Sequence, residues 1–143
     1  MTTLQQVKAL IESQDADKKS DLQQLHKLIT GLLSKGKLWY DDGKNDQQKT
    51  VTNPTIGYGS FVIKYADGNT KECFQLGISP NSAGISVYIL GIKDKTYLPT
   101  AYSKTIGKAK VTGYCIRFKK LADINTAVLS EAIRYGVKDS ATS

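Results

Sequence analysis

The chain has 143 residues, 40% apolar and 23% charged, which suits one domain with a single core and excludes a disordered segment. No apolar run approaches the roughly 18 residues of a membrane span. The opening MTTLQQVKALIESQ has neither the basic start nor the apolar block of a secretion signal. Two cysteines make no disulfide framework, so a reducing, cytoplasmic setting is expected.

The formal charge of +7 is concentrated in the second half. Residues 1–72 hold ten lysines against nine acids, whereas residues 93–120 hold seven lysines and Arg117 against Asp94 alone. A surplus gathered in one window points to an anionic partner.

In chain order, Leu4, Val7, Leu10 and Ile11 recur at helical spacing, with Thr3 and Gln6 as a capping box. QDADKK reads as a polar turn. A second helix carries Leu22, Leu25, Leu28, Ile29, Leu32 and Leu33 on one stripe, capped by Ser20 with Gln23 and stopped at Gly36. Residues 36–54 read as a long polar loop, either mobile or a functional lid, with Trp39 and Tyr40 anchoring its first half.

The period then becomes two. Phe61, Ile63 and Tyr65 alternate with Ser60, Val62 and Lys64, and Asp67-Gly68 signals a hairpin turn. Phe74, Leu76 and Ile78 alternate with Cys73, Gln75 and Gly77. After the SPNSAG turn, Ile85, Val87 and Ile89 alternate with Ser86, Tyr88 and Leu90. A short helix is expected near Pro99, since proline is tolerated in a first turn. Tyr114, Ile116 and Phe118 then alternate with Cys115, Arg117 and Lys119. A last helix carries Ile124, Val128, Leu129, Ala132 and Ile133, with Asp123 or Asn125 as cap, Gly136 at its end and a frayed tail from 138.

The order α-α-β-β-β-α-β-α, with one strongly apolar face per strand, predicts an α+β two-layer sandwich. Its mainly antiparallel sheet would have about four strands, with helices on one face only. The other face would display Ser60, Lys64, Gln75, Ser86, Tyr88, Cys115, Arg117 and Lys119.

A polar face is what any one-sided sheet shows to water. Its functional counterpart is a site at Ser86, Tyr88, Lys108, Lys110, Cys115 and Arg117 for an anionic small molecule or an acidic protein. Arginine there would offer a planar fork, and lysines point charges. The rival claim is non-specific nucleic-acid binding, through Lys93, Lys95, Lys104, Lys108 and Lys110 with Tyr97, Tyr102 and Tyr114. No RNP signature, KH loop or zinc knuckle accompanies them, so nucleic acid is the less favoured partner. An exposed sheet edge would also let two chains pair.

Other motifs carry little chemistry. Gly57-Tyr58-Gly59 and GKLWYDDGK are turns, neither a dinucleotide nor a phosphate-binding loop. The single histidine, His26, reads as half-exposed beside the helix stripe. With so few soft ligands no zinc site is expected, and Asp41, Asp42 and Asp46 lack calcium-loop spacing. No catalytic set and no cofactor are expected. The one candidate nucleophile is Cys115, its thiolate favoured by Arg117, against the commoner reading of an inert thiol.

PTIGYGSF, LGISPNSAGISVYI and IGKAKVTGYCIRFKKLADINTAVLSEAI, spanning about Pro54 to Ile133, together resemble the YdhG-like family of small domains of unknown function. The resemblance implies a two-layer α+β sandwich and, through one branch, a frataxin-like iron chaperone. Glu12, Asp15, Asp17 and Asp21 would then be the hard ligands. This chain departs from the family pattern at Asn81 and Ser82, where Arg-Lys is usual, and at Gly113-Tyr114-Cys115, where Gly-Ser-Cys is usual.

Overall fold

A computed structural model describes residues 2–33, 37–45, 47–49, 53–82 and 84–141. The elements are α1 (Thr3–Glu12), α2 (Ala16–Leu32), β1 (Leu38–Asp41), β2 (Thr55–Tyr58), β3 (Phe61–Lys64) and β4 (Thr70–Cys73). There follow β5 (Leu76–Asn81), β6 (Gly84–Ile89), α3 (Tyr97–Tyr102), β7 (Lys110–Val111), β8 (Cys115–Phe118), a 3-10 turn (Leu121–Asp123) and α4 (Thr126–Ala141). Among the described residues no helix is long and apolar enough to cross a membrane.

The α+β class holds, but the sheet is larger than expected. Six strands run in the order β1-β2-β5-β6-β8-β7, each pair antiparallel, and β3-β4 forms a separate hairpin. One face carries Ile56, Tyr58, Leu76, Ile78, Ile85, Val87, Ile89, Ile116 and Phe118, all in one core cluster with residues of all four helices. Val7, Leu22, Leu25, Ile29, Leu129 and Ile133 are fully buried in that cluster. The helices supply the second layer because a one-sided sheet must bury its apolar face against something.

Four corrections concern the strands. Residues 38–41, expected within a loop, form the edge strand β1: Leu38 and Tyr40 pack against the core while the Trp39 indole Nε1–H donates to the Gly59 carbonyl at 2.7 Å. Gly57-Tyr58-Gly59, expected to be a turn, instead ends strand β2 (Thr55–Tyr58), and its Gly57 is a packing glycine. A Cβ there would stand 2.6 Å from Phe74 Cγ, so only glycine admits the ring.

The stretch read as one strand from Cys73 to Ile78 breaks at Phe74-Gln75 between β4 and β5. The break reverses the alternation at these two residues. Phe74 crosses Gly57 and Gly77 on the helix-free face, and Gln75 is buried with its amide donating to the Val137 carbonyl of α4. Finally, Ser60 and Lys64 belong to the hairpin region, leaving the helix-free face of the six-stranded sheet to Ser86, Tyr88, Cys115, Arg117 and Lys119.

The helix ends also move. Thr2 with Gln5, rather than Thr3 with Gln6, makes the capping box of α1. Asp15 caps α2, a turn before the expected Ser20, so most of QDADKK is helical; the expected stop at Gly36 lies outside the described residues. Asn125 caps α4 through its side-chain oxygen, which accepts from the Ala127 and Val128 amides. α4 runs through Gly136 to Ala141, beyond the expected end and into the tail read as frayed. Gly136 is there for contact, because a Cβ would fall 2.0 Å from Ile89 Cγ2.

Candidate anion-binding cleft

The register across β6, β8 and β7 assembles the site. Ser86 pairs with Arg117 and Arg117 with Lys110, so the three lie in one row across neighbouring strands. Tyr88 pairs with Cys115 in the next row on the same face. Strand alternation fixes the direction: Ile116 and Phe118 point into the core and Arg117 into solvent. Lys108 enters from the segment before β7, where its backbone N–H donates to the Asp123 carbonyl at 3.0 Å.

A cleft of about 210 Å³ is lined by Ser86, Lys108, Lys110, Arg117 and Lys119, together with Asn81, Ile85, Ala109 and Phe118. Four of the lining residues are cationic and none is acidic. Ion pairs join Lys19 to Glu12 at 2.6 Å and Lys37 to Glu72 at 3.0 Å. None of the four cleft cations takes part in either pair, although Lys119 also borders a neighbouring pocket that holds Asp15, Asp17 and Asp21.

The floor of the cleft is polar and ordered. The Asn81 amide donates to Ser86 Oγ at 3.0 Å, and Ser86 is buried. Ser86 and Arg117 both lie close enough to Cys115 to favour its thiolate against the effect of burial. The Arg117 side chain stays open to solvent.

Four of the six expected residues (Ser86, Lys108, Lys110 and Arg117) line this one cleft. Tyr88 and Cys115 flank it. Tyr114 does not continue the apolar face with Ile116 and Phe118. It turns to the other side, 45% exposed, and its ring stacks on Tyr88 with centroids 6.4 Å apart and planes at 15°.

Cys115 is the residue most changed by the geometry. It is 0% exposed, and burial pushes its thiol up, only partly opposed by Arg117 and Ser86. A buried thiol with a raised pKa is a poor nucleophile at neutral pH, so the activation expected from Arg117 is outweighed. Cys73 is also free, half-buried on β4.

Sequence reasoning passed over two polar lining residues. Lys119 was readable, since it continues the parity of Cys115 and Arg117. Asn81 was not, because only the pairing of Asn81 with Gly84 brings the end of β5 beside Ser86.

His26 sits on the helix side, far in the fold from this face. Its Nδ1 is 2.7 Å from the Tyr58 hydroxyl. Burial, then the Lys8 charge, lowers its pKa, and burial raises that of Tyr58.

Three of the four acids named in the α1–α2 region are already engaged. Glu12 pairs with Lys19, Asp15 caps α2, and Asp21 accepts from the Leu121 amide at 3.1 Å. Among the described residues no group of three or more His, Cys, Asp or Glu is gathered to hold a metal. No protein-family model, curated protein or solved structure matches the chain.

Proposed function

We propose that the chain is a non-enzymatic binding domain that takes an anionic group on the helix-free face of its sheet. The observation that carries this reading is the cleft with four cations and no acid in its lining, built over buried Ser86. Bringing like charges together is unfavourable unless something anionic answers them. At about 210 Å³ the cleft holds roughly seven waters' worth of volume, which suits a phosphate or carboxylate head. Arg117 supplies the fork for two oxygens, Lys108, Lys110 and Lys119 add point charges, and the Asn81–Ser86 hydrogen bond keeps the floor polar.

Thermal unfolding of the protein at low salt, with and without pyrophosphate, tests the reading. Pyrophosphate is expected to raise Tm with concentration, as any ligand of the folded state does, whereas sodium chloride of equal ionic strength is not. Arg117→Gln combined with Lys110→Gln should remove the shift. An equal shift in the doubly substituted chain would contradict the proposed site.

A second reading, binding of single-stranded nucleic acid, rests on the Tyr88–Tyr114 stack beside the cleft, which offers a ring platform next to phosphate-seeking charges. A fluorescein-labelled oligothymidylate separates the two. If the platform is used, polarisation rises, falls steeply with salt, and drops in Tyr114→Ala; if not, only the small anion binds. For the YdhG-like resemblance, the support is the motif order from Pro54 to Ile133. Its iron-chaperone branch is the weakest reading, because Glu12, Asp15 and Asp21 are already spent on the fold.

A further inference from the structure

A second cavity lies on another part of the molecule and is independent of the anion reading. It measures about 590 Å³ and is lined by Gln6 of α1, Trp39, Tyr40 and Asp41 of β1, Asp42, and Lys71 to Phe74 of β4 and its end. These residues lie on either side of one strand, so the cavity is a groove along β1, with α1 on one flank and the hairpin on the other.

β1 is an edge strand. It pairs only with β2, and among the described residues no strand covers its other side. Which of its backbone groups are open follows from the ladder. The Gly59 amide donates to the Lys37 carbonyl at 2.8 Å, and the register continues Leu38 to Tyr58, Trp39 to Gly57, Tyr40 to Ile56 and Asp41 to Thr55. Hydrogen-bonded pairs alternate along an antiparallel ladder. Trp39 and Asp41 therefore bond to β2, while the N–H and C=O of Leu38 and Tyr40 point away from it into the groove.

The walls are aromatic and acidic. The Trp39 ring is pinned by its bond to Gly59 and meets Phe74 edge-on at 6.2 Å. Asp41, Asp42 and Glu72 line the groove against Lys71 in the lining and Lys37 beside it, an acidic balance in a chain of net charge +7. Asp41 and Asp42 each spend one oxygen on a turn amide, at 2.8 and 2.9 Å, and among the described residues neither has an ion pair. The site also already seats an ammonium: Lys37 Nζ lies 4.3 Å over the Trp39 ring and 3.0 Å from Glu72.

We infer that the open edge of β1 binds an extended peptide segment carrying lysine or arginine. The segment adds as a seventh strand to the sheet. Its main chain bonds to Leu38 and Tyr40, and alternate basic side chains reach the flank of Asp41 and Glu72 while the others lie toward Tyr40 and Gln6. Backbone pairing of this kind gives affinity, and the flanking pockets give preference.

Three fluorescein-labelled hexapeptides test it by anisotropy: KVKVKV, the same peptide N-methylated at alternate amides, and DVDVDV. KVKVKV is expected to bind saturably, and both others to bind about ten-fold more weakly, because one loses strand pairing and the other its charge match. The doubly substituted chain Asp41→Asn with Asp42→Asn should lose affinity for KVKVKV by a similar factor while its urea midpoint stays unchanged. No saturable binding of KVKVKV, or equal binding of the N-methylated peptide, overturns the inference. So does sedimentation showing a dimer that the same two substitutions dissociate, which would assign the edge to a second copy of the chain.

Discussion

Gly136 sits mid-helix in α4, where alanine is normally favoured by about 1 kcal/mol, yet Gly136→Ala is expected to destabilise the protein. An alanine Cβ would stand 2.0 Å from Ile89 Cγ2 and 3.6 Å from Ile92 Cδ1. Carbon atoms rest at about 3.5–4.0 Å, so about 1.5 Å of displacement is required. Ile89 cannot supply it freely. It is fully buried, pairs with Leu76, and its amide is tied to the Tyr114 carbonyl at 2.7 Å.

Overpacking of that kind costs about 1–3 kcal/mol; the approach to the β-branched Ile89 places this site at the upper end, so after the propensity gain of about 1 kcal/mol the net loss is up to about 2 kcal/mol. Gly31, in α2 with nothing within 4 Å of an added Cβ, is the internal control. Gly31→Ala is expected to gain about 0.5–1 kcal/mol. Urea denaturation of both variants measures the difference. Ile89→Leu moves the offending methyl off Cβ and should recover at least about 1 kcal/mol when combined with Gly136→Ala, as coupling between contacting residues. If Gly136→Ala stabilises as Gly31→Ala does, α4 is not seated on β6 and the two-layer packing is wrong.

Two further outcomes follow from the buried titratable groups. The folded state holds the His26 pKa below its ordinary value, so the unfolded chain binds the proton more readily. Stability is therefore fully present above about pH 6.5 and falls as the pH drops through and below that value. Urea midpoints between pH 5 and 8 should show this slope, and His26→Gln should flatten it. Cys115, buried and with its thiol pushed up, should react with iodoacetamide in the folded state more slowly than half-buried Cys73, and at the same rate in urea. Equal native rates would place Cys115 at the surface.

Much of this arrangement was readable where alternation is uninterrupted. Ile85, Val87 and Ile89, and then Ile116 and Phe118, put Ser86, Tyr88, Cys115 and Arg117 on the opposite face without any knowledge of pairing. The phase failed at Phe74-Gln75, because the break between β4 and β5 puts Phe74 opposite to Leu76 and Ile78 and leaves no mark in composition. β1 was hidden for a different reason: four residues, LWYD, lie within a polar stretch whose Gly and Asp content reads as loop.

TTLQQ contains two overlapping capping frames, and only packing of Val7, Leu10 and Ile11 selects the first. Gly136 was misread because glycine at a helix end and glycine at a helix crossing look alike in sequence. The cleft could be guessed residue by residue, but its closure depends on β7. That strand has only two residues, and it swings Lys108 and Lys110 beside Arg117.

The most direct test of the anion site is an amide chemical-shift titration of the labelled protein with pyrophosphate. Saturable shifts confined to Asn81, Ser86, Lys108, Lys110, Arg117 and Lys119, and lost in Arg117→Gln, are the result expected. Shifts spread evenly over the lysines of the whole surface, unchanged in Arg117→Gln, would show general charge attraction and contradict a built site.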